Sequence, residues 1–405
     1  MCVLAGLVLV GGCPREPAVL KAPEDEAPEL AEVVEEVDLA EARVGQGASQ
    51  SFSLPRFQAA LQRAESGEQT RILAFGDSHV AGDQYVGRIR RVLQERYGGS
   101  RGFTLAAWPN NRGYWQADVS VEEGSGWTVL RLGAGRTSPD YYGMAGVVFD
   151  SEGRSASAAL ESDAPVRQVE VWYQRQPGGG ELLIEFGEST RTVSTSGATG
   201  PGYELMSLTE GARDVRLRAL PGGPVRIYAV VFGTEGAGVV VDNAALGGTK
   251  ARYHLASLDP VYAGQLRRRA PHLVMLGFGG NEGNDFGTSI NEYGTNLRRM
   301  VARIRRLTPD ADCLLVGPLD KPLARDGGWV HRYRTTAIAR VQRETAAEYG
   351  CAFFDSIAFM GGRMSMLQWV AADLARPDRV HLTNAGYELV ADALLDAMLP
   401  LDARE

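Results

Sequence analysis

Arg71-Ile72-Leu73-Ala74-Phe75-Gly76-Asp77-Ser78-His79 is the stretch that decides the fold. Ile72 to Phe75 is an unbroken apolar run, too short for a helix and closed by a glycine, which is the pattern of a strand buried on both faces. After the turn at Asp77-Ser78, Gln84 to Tyr97 carries Val86, Ile89, Val92 and Leu93 on one side of an amphipathic helix. The strand signal returns at Gly238 to Asp242, His272 to Gly277, Cys313 to Gly317 and Cys351 to Asp355. Helical periodicity lies between these runs and after them, near Val261 to Arg269, Ile290 to Arg306, His331 to Tyr349 and Asn384 to Met398. Such alternation predicts an α/β fold with a parallel sheet, helices on both faces, and ligands beyond the carboxyl ends of the strands.

Four short motifs are expected at those ends: Gly76-Asp77-Ser78-His79, Gly247-Gly248, Gly279-Gly280-Asn281-Glu282 and Asp378-Arg379-Val380-His381. Each supplies one part of acyl transfer through a serine. Ser78 sits where a strand gives way to a turn, so its hydroxyl projects over the sheet edge as the nucleophile. The base follows by elimination. Of the five histidines, His79, His254, His272, His331 and His381, only the last has an aspartate three residues earlier. Asp378 then accepts from the imidazole Nδ1–H and leaves Nε2 free to take the serine proton. His79 adjoins Ser78 and should point away from it, into packing or a supporting hydrogen bond. The Ser78 N–H, the Gly248 N–H and the Asn281 amide are the candidate oxyanion donors, with Gly247 competing for the place of Gly248.

The other histidines lack metal-ligand spacing, so no metal is expected. No cofactor is expected either. Gly277-Phe278-Gly279 opens like a dinucleotide fingerprint, but its sixth position is Glu282. Gly98-Gly99-Ser100-Arg101-Gly102 matches Gly-x-Ser-x-Gly yet follows a helix rather than a strand, so it reads as a helix cap and loop.

Between about Trp108 and Thr234 the alternation stops. Gln168 to Tyr173, Glu181 to Phe186, Val215 to Leu220 and Val225 to Phe232 read as strands, and the segment is expected to be an all-β sandwich inserted beside the site. Its aromatics Trp108, Trp115, Trp127, Tyr141 and Tyr142 are candidates for stacking on sugar rings, though each taken alone reads more readily as a core or loop anchor.

Composition bounds the rest. With 405 residues, 44% hydrophobic, the chain can bury a full core, and a net charge of -8 excludes a nucleic-acid partner of the phosphate-binding kind. Val3 to Val10 is an apolar run too short to span a bilayer, and it ends in Val10-Gly11-Gly12-Cys13, which resembles a lipoprotein signal cleaved before a lipid-modified cysteine. Export and membrane attachment through Cys13 are therefore expected, although no Lys or Arg precedes it. The acidic, Pro-rich stretch after Cys13 reads as a disordered tether. Cys313 and Cys351 open two expected neighbouring strands, so they read either as a disulfide or as two buried thiols. The expected organisation is thus signal 1–13, tether 14–52, α/β domain 53–107 and 237–405, and β insert 108–236.

The ordered set Gly-Asp-Ser, Gly, Gly-x-Asn-Glu and Asp-x-x-His resembles the SGNH, or GDSL-type, hydrolases in all four of that family's blocks. The resemblance implies a three-layer α/β/α sandwich and roles for Ser78, Gly248, Asn281, Asp378 and His381 as given above. Here Glu282 stands in place of the commoner Asp. Longer strings, Gly76 to Asp83, Cys313 to Pro318 and Met360-Gly361-Gly362, resemble bacterial peptidoglycan O-acetylesterases, which carry a carbohydrate-binding-module-like insert. That resemblance implies an exported, lipid-anchored serine esterase acting on an acetylated polysaccharide, peptidoglycan first. Transfer of the acetyl group to a sugar hydroxyl and non-catalytic glycan binding are its alternatives.

Overall fold

Gln69–Gly76 forms the first strand, β1, and its side-chain alternation sets the layers. Ile72 and Ala74 join one apolar core; Leu73 and Phe75 join another. The computed structural model describes residues 50–399 apart from 109–113, 123, 134–141, 234–235 and 258–259. The expected signal with Cys13, all but the end of the expected tether, and Tyr141 lie outside the described residues.

Numbered along the chain, β1 pairs in parallel with β11 (Gly238–Asn243) on one side and β12 (Leu273–Gly277) on the other. Beyond β12 follow β13 (Asp312–Val316) and β16 (Ala352–Phe354), also parallel. The order within this sheet is second, first, third, fourth, fifth, so successive connections leave β1 in opposite directions and open a crevice at its carboxyl end. Ser78 follows β1 and Gly279–Asn281 follow β12, on the two sides of that crevice. The Asp378–His381 turn differs from expectation, since it lies between two helices rather than at a strand end.

Helices cover both faces. Against Ile72 and Ala74 pack α1 (Pro55–Glu65), the short α2 (Ser78–Ala81), α3 (Gln84–Tyr97) and, from the end of the chain, α7 (Ser356–Met360), α8 (Ser365–Ala371) and α9 (Asn384–Met398). Against Leu73 and Phe75 pack α4 (Val261–Arg269), α5 (Ile290–Leu307) and α6 (Tyr333–Tyr349). Local chemistry fixes two of the starts. The Ser289 hydroxyl accepts from the Glu292 N–H at the head of α5, and the Thr383 hydroxyl accepts from Gly386 at the head of α9, immediately after His381.

Among the described residues, the stretch between β1 and β11 forms nine antiparallel strands. They are β2 (Gly102–Leu105), β3 (Val119–Val121), β4 (Thr128–Arg131), β5 (Val147–Asp150), β6 (Ala156–Arg175), β7 (Glu181–Phe186), β8 (Ser189–Ser194), β9 (Gly200–Ala219) and β10 (Arg226–Phe232). Where the sequence predicts the two sheets of a sandwich, hydrogen bonds join these strands into one. The reason is the length of β6 and β9, 20 residues each, whose pairing shifts register between Glu161 and Val166 and again before Gln168. One end of β6 pairs with β3 and the other with β10, so two long strands run through what would otherwise be separate sheets. Its apolar face, with Trp172, Phe103 and Phe149, belongs to the same core as α4 and α5. A small hairpin, β14 (Leu323–Arg325) and β15 (Gly328–Val330), lies between β13 and α6.

Cys313 of β13 and Cys351, just before β16, are joined by a disulfide with Cα atoms 4.7 Å apart. Parallel pairing of Leu314 with Ala352 sets the two cysteines side by side.

A buried charge cluster ties the layers together. Arg90 of α3, 1% exposed at its side chain, donates to both oxygens of Asp83, each at 2.9 Å, to Asp118 at 2.6 Å and to the Val241 carbonyl of β11 at 3.1 Å. Asp83 stands at φ +58° and also accepts from the Ala117 N–H and the Asn243 amide. Removing one partner of such a pair strands the other charge in the interior. Arg90→Met is therefore expected to cost about 3–5 kcal/mol in urea unfolding, whereas Arg340→Ala, which breaks an exposed pair with Glu344 one helical turn away, should cost no more than about 0.5 kcal/mol. Equal losses would overturn the assignment.

Candidate active site

Ser78 is the first residue of α2, directly beyond the sheet edge. Asp77 caps this helix, its carboxylate accepting from the His79 N–H at 3.1 Å, which sets the turn that presents the serine. Ser78 Oγ stands 3.0 Å from His381 Nε2, and His381 Nδ1 stands 2.9 Å from Asp378 Oδ2. The other Asp378 oxygen accepts from the Val380 and His381 N–H groups, both at 2.9 Å. With the carboxylate accepting at Nδ1, the imidazole proton sits there and Nε2 is the acceptor for the serine hydroxyl. Partial burial alone would raise the Asp378 pKa, but the bonds from the His381 N–H, the imidazole and the Val380 N–H outweigh it and hold the carboxyl down at about 2.

The turn carrying this pair is itself held in place. Arg379 takes φ +57°, a conformation that disfavours side chains by roughly 1–2 kcal/mol. Its guanidinium lies 4.2 Å from the centre of the Trp329 ring on β15, a cation–π contact. Arg376 N–H donates to the His381 carbonyl at 2.8 Å and closes the loop.

The donor segments are fastened to β1 and to each other. Thr249 Oγ1 lies 2.9 Å from the Gly76 carbonyl, and Leu246 N–H donates to the same oxygen, so the Gly247-Gly248 turn hangs on the strand that leads to Ser78. Gly248 is at φ +79°, which a glycine adopts without strain. Asn281 donates one amide hydrogen to the Thr249 carbonyl at 2.9 Å and keeps the other. Neither the Ser78 N–H nor the Gly248 N–H meets an acceptor among the described residues. Gly280 packs so closely on Asp77 and His79 that a Cβ there would sit 3.0 Å from the Asp77 carboxylate.

Glu282 is the residue that spacing alone does not reveal. It is 3% exposed, and its two oxygens accept from the Ala251 N–H at 2.8 Å and the Gly279 N–H at 3.0 Å, clasping the second and third motifs together. Burial pushes its carboxyl up to about 7, against the pull of those N–H groups. Tyr387 of α9 is a second such residue: its hydroxyl lies 2.9 Å from His79 Nδ1. His79 therefore does not bond to Ser78, and its ring stacks obliquely near that of His381 at 5.2 Å. Burial lowers the His79 pKa, so the ring is neutral at pH 7. Beside the nucleophile lies a small cavity of about 30 Å³ lined by Asp77, His79, Tyr85, Phe278, Pro318 and Tyr387. His254 is buried among Phe75, Tyr262 and Phe278, and His272 Nδ1 accepts from the Arg71 N–H, so both serve the fold. Among the described residues no three His, Cys, Asp or Glu side chains gather as a metal site.

Two measurements test these assignments. Asp378 keeps its charge down to about pH 2, so kcat/KM is expected to rise with pH as a single proton leaves the imidazole; an acid limb of slope two would contradict this. The Glu282 carboxyl is raised in the fold, so its favourable contribution is complete below the ordinary value of 4.5 and is lost as pH rises through about 7. The urea midpoint of Glu282→Gln should accordingly lack that part of the decline between pH 5 and 8, and its kcat should fall because an amide N–H₂ meets one of the two clasped N–H donors. A variant with the same pH slope as the parent would refute the assignment.

Residues 207–389 match the GDSL-like Lipase/Acylhydrolase family model, a stretch that holds Gly248, Asn281, Asp378 and His381. No curated protein sequence matches the chain. Among solved structures, a peptidoglycan O-acetylesterase shares the fold with a TM-score of 0.70 at 24% identity, covering 84% of this chain and 94% of its own. An acetylxylan esterase from Geobacillus stearothermophilus, also 24% identical, covers 39% of this chain and 72% of its own at a TM-score of 0.31, too slight a likeness to bear on function. Ser78 lies upstream of the matched stretch, and the geometry joins it to His381 and Asp378. The matched stretch is similar to the GDSL-type, or SGNH, hydrolases, and with the hydrogen-bonded row of Ser78, His381 and Asp378 it supports reading the chain as an esterase.

Proposed function

We propose that this esterase removes O-acetyl groups from a cell-wall polysaccharide, with peptidoglycan as the first candidate. The observation that carries the reading is the row Ser78, His381, Asp378, with bonds of 3.0 and 2.9 Å, in a fold shared along nearly the whole length of a peptidoglycan O-acetylesterase. Ser78 Oγ attacks the acetyl carbonyl while His381 Nε2 takes its proton. The oxyanion that forms is met by the Ser78 N–H, the Gly248 N–H and the free amide hydrogen of Asn281. The tetrahedral adduct collapses as His381 returns the proton to the departing sugar oxygen, leaving acetyl-Ser78. Water, deprotonated by the same imidazole, then releases acetate. The Arg379 turn and the Glu282 clasp hold the two halves of this arrangement at fixed spacing.

The same reading puts the protein in the cell envelope, anchored through a lipid on Cys13. Its supports are the apolar run ending in Val10-Gly11-Gly12-Cys13 and the Cys313–Cys351 disulfide, which persists in oxidising compartments.

The test is acetate release from O-acetylated peptidoglycan and from acetylated xylan. Activity on peptidoglycan is expected, with a loss of about 10⁴-fold or more in Ser78→Ala. Asn281→Ala should lose about 10²–10³ in kcat with little change in KM. Release from xylan alone would move the substrate, and release by Ser78→Ala at the parent rate would remove the mechanism.

A further inference from the structure

We propose that the groove floored by Trp115 is a glycan subsite, holding a sugar ring next to the one whose acetyl group meets Ser78. This deepens the proposed function and rests on it. Burial selects Trp115 from the aromatics between β2 and β5. Trp108 and Tyr142 are 7% and 4% exposed, and Trp127 is half-buried with its indole N–H donated to the Ser157 carbonyl. Trp115, by contrast, is 45% exposed.

Its position follows from the site. The Trp115 N–H donates to the Ala81 carbonyl at 2.8 Å, so this tryptophan is pinned at the end of the helix that begins with Ser78. About 870 Å³ of open space lies beside it, lined by Gln84, Arg91, Asn384 and Glu388 among others. Gln84 opens α3 six residues after the nucleophile, and Asn384 opens α9 three residues after the base. The groove is thus lined by the residues that directly follow the nucleophile helix and by the first turn of the helix that follows the base.

Its chemistry suits a saccharide. The C–H face of a pyranose is apolar and slightly positive, and it complements the negative face of an indole. The ring's hydroxyls and amides then need planar donors and acceptors at the edges. Gln84, Arg91, Asn384 and Glu388 provide them, and none has a side-chain hydrogen-bond partner among the described residues. A small activated ester reaches Ser78 without touching this groove; an oligosaccharide does not.

The experiment compares kcat/KM on O-acetylated peptidoglycan fragments with kcat/KM on p-nitrophenyl acetate, in the parent, Trp115→Ala, Trp115→Phe and Arg91→Ala. The ratio of the two is expected to fall roughly tenfold in Trp115→Ala, mostly through KM on the glycan, and to recover in Trp115→Phe, which keeps an aromatic face. An unchanged ratio in Trp115→Ala overturns the subsite. If the parent hydrolyses p-nitrophenyl acetate but no acetylated glycan, the functional reading fails instead. Calorimetric binding of the same fragments to Ser78→Ala then judges the groove by itself. Binding lost on adding Trp115→Ala supports it, and binding that is absent or insensitive to Trp115 overturns it.

Discussion

The active site depends on one buried cation. Arg90 reaches three parts of the chain at once: Asp83 after the nucleophile helix, Val241 on β11, and Asp118 directly before β3 of the antiparallel sheet. Burying these charges is costly, and an apolar cluster of the same volume would stabilise the fold at least as well. What the cluster supplies is uniqueness of position. Asp83 accepts from Arg90, the Ala117 N–H and the Asn243 amide together, and it does so in the left-handed conformation, at φ +58°. The backbone between Ser78 and Asp83 thus has both ends fixed, one by the strand and the other by the guanidinium.

The proposed catalytic groups fall into two mechanical classes. Ser78, Gly248 and Asn281 are fixed to the parallel sheet through Thr249, Leu246 and the buried Glu282, so the proposed nucleophile and oxyanion donors share one support. His381 and Asp378 sit on a turn whose side chains are about a third to a half exposed, held by the Arg379–Trp329 contact and by the start of α9. A base that exchanges protons with a sugar oxygen and then with water must reach solvent, whereas oxyanion donors are strongest where water is excluded. What lies buried is the support of the donors, Thr249 and Glu282, while Gly248 itself is exposed and Ser78, Asn281 and His381 are partly buried, so substrate rather than protein must exclude water there.

Much of this was legible in the chain, for reasons that differ from element to element. β1 and the helices α3, α4 and α9 were readable because an apolar run or a 3.6-residue period marks them directly. The Ser78, His381 and Asp378 row was readable because few histidines compete for the role. The long strands β6 and β9 were read as fragments, since register shifts interrupt the two-residue alternation that marks a strand. α1 carries Phe57, Ala60, Leu61 and Ala64 at helical spacing, but two of these four are alanines, so its apolar period is faint in the sequence. Glu282 stands out in the sequence only as the end of the third motif and Trp115 only as one aromatic of five, with nothing local to mark the clasp or the exposed ring. The value of Glu282 lies in an N–H group 31 residues away, and that of Trp115 in which of several aromatics the fold leaves uncovered.

The shared core changes how the antiparallel sheet should be understood. A module with its own interior would move as a body relative to the catalytic layer, and any glycan contact on it would vary in distance from Ser78. Here Trp172 and Phe103 of the antiparallel sheet lie in one apolar core with Val261 and Leu266 of α4. Asp118 is bound to Arg90, and Trp115 to the carbonyl that ends the nucleophile helix. The aromatic platform and the nucleophile are therefore parts of one packed body. A sugar seated on the first is placed relative to the second without a closing motion, so binding energy from the neighbouring ring goes into orienting the ester.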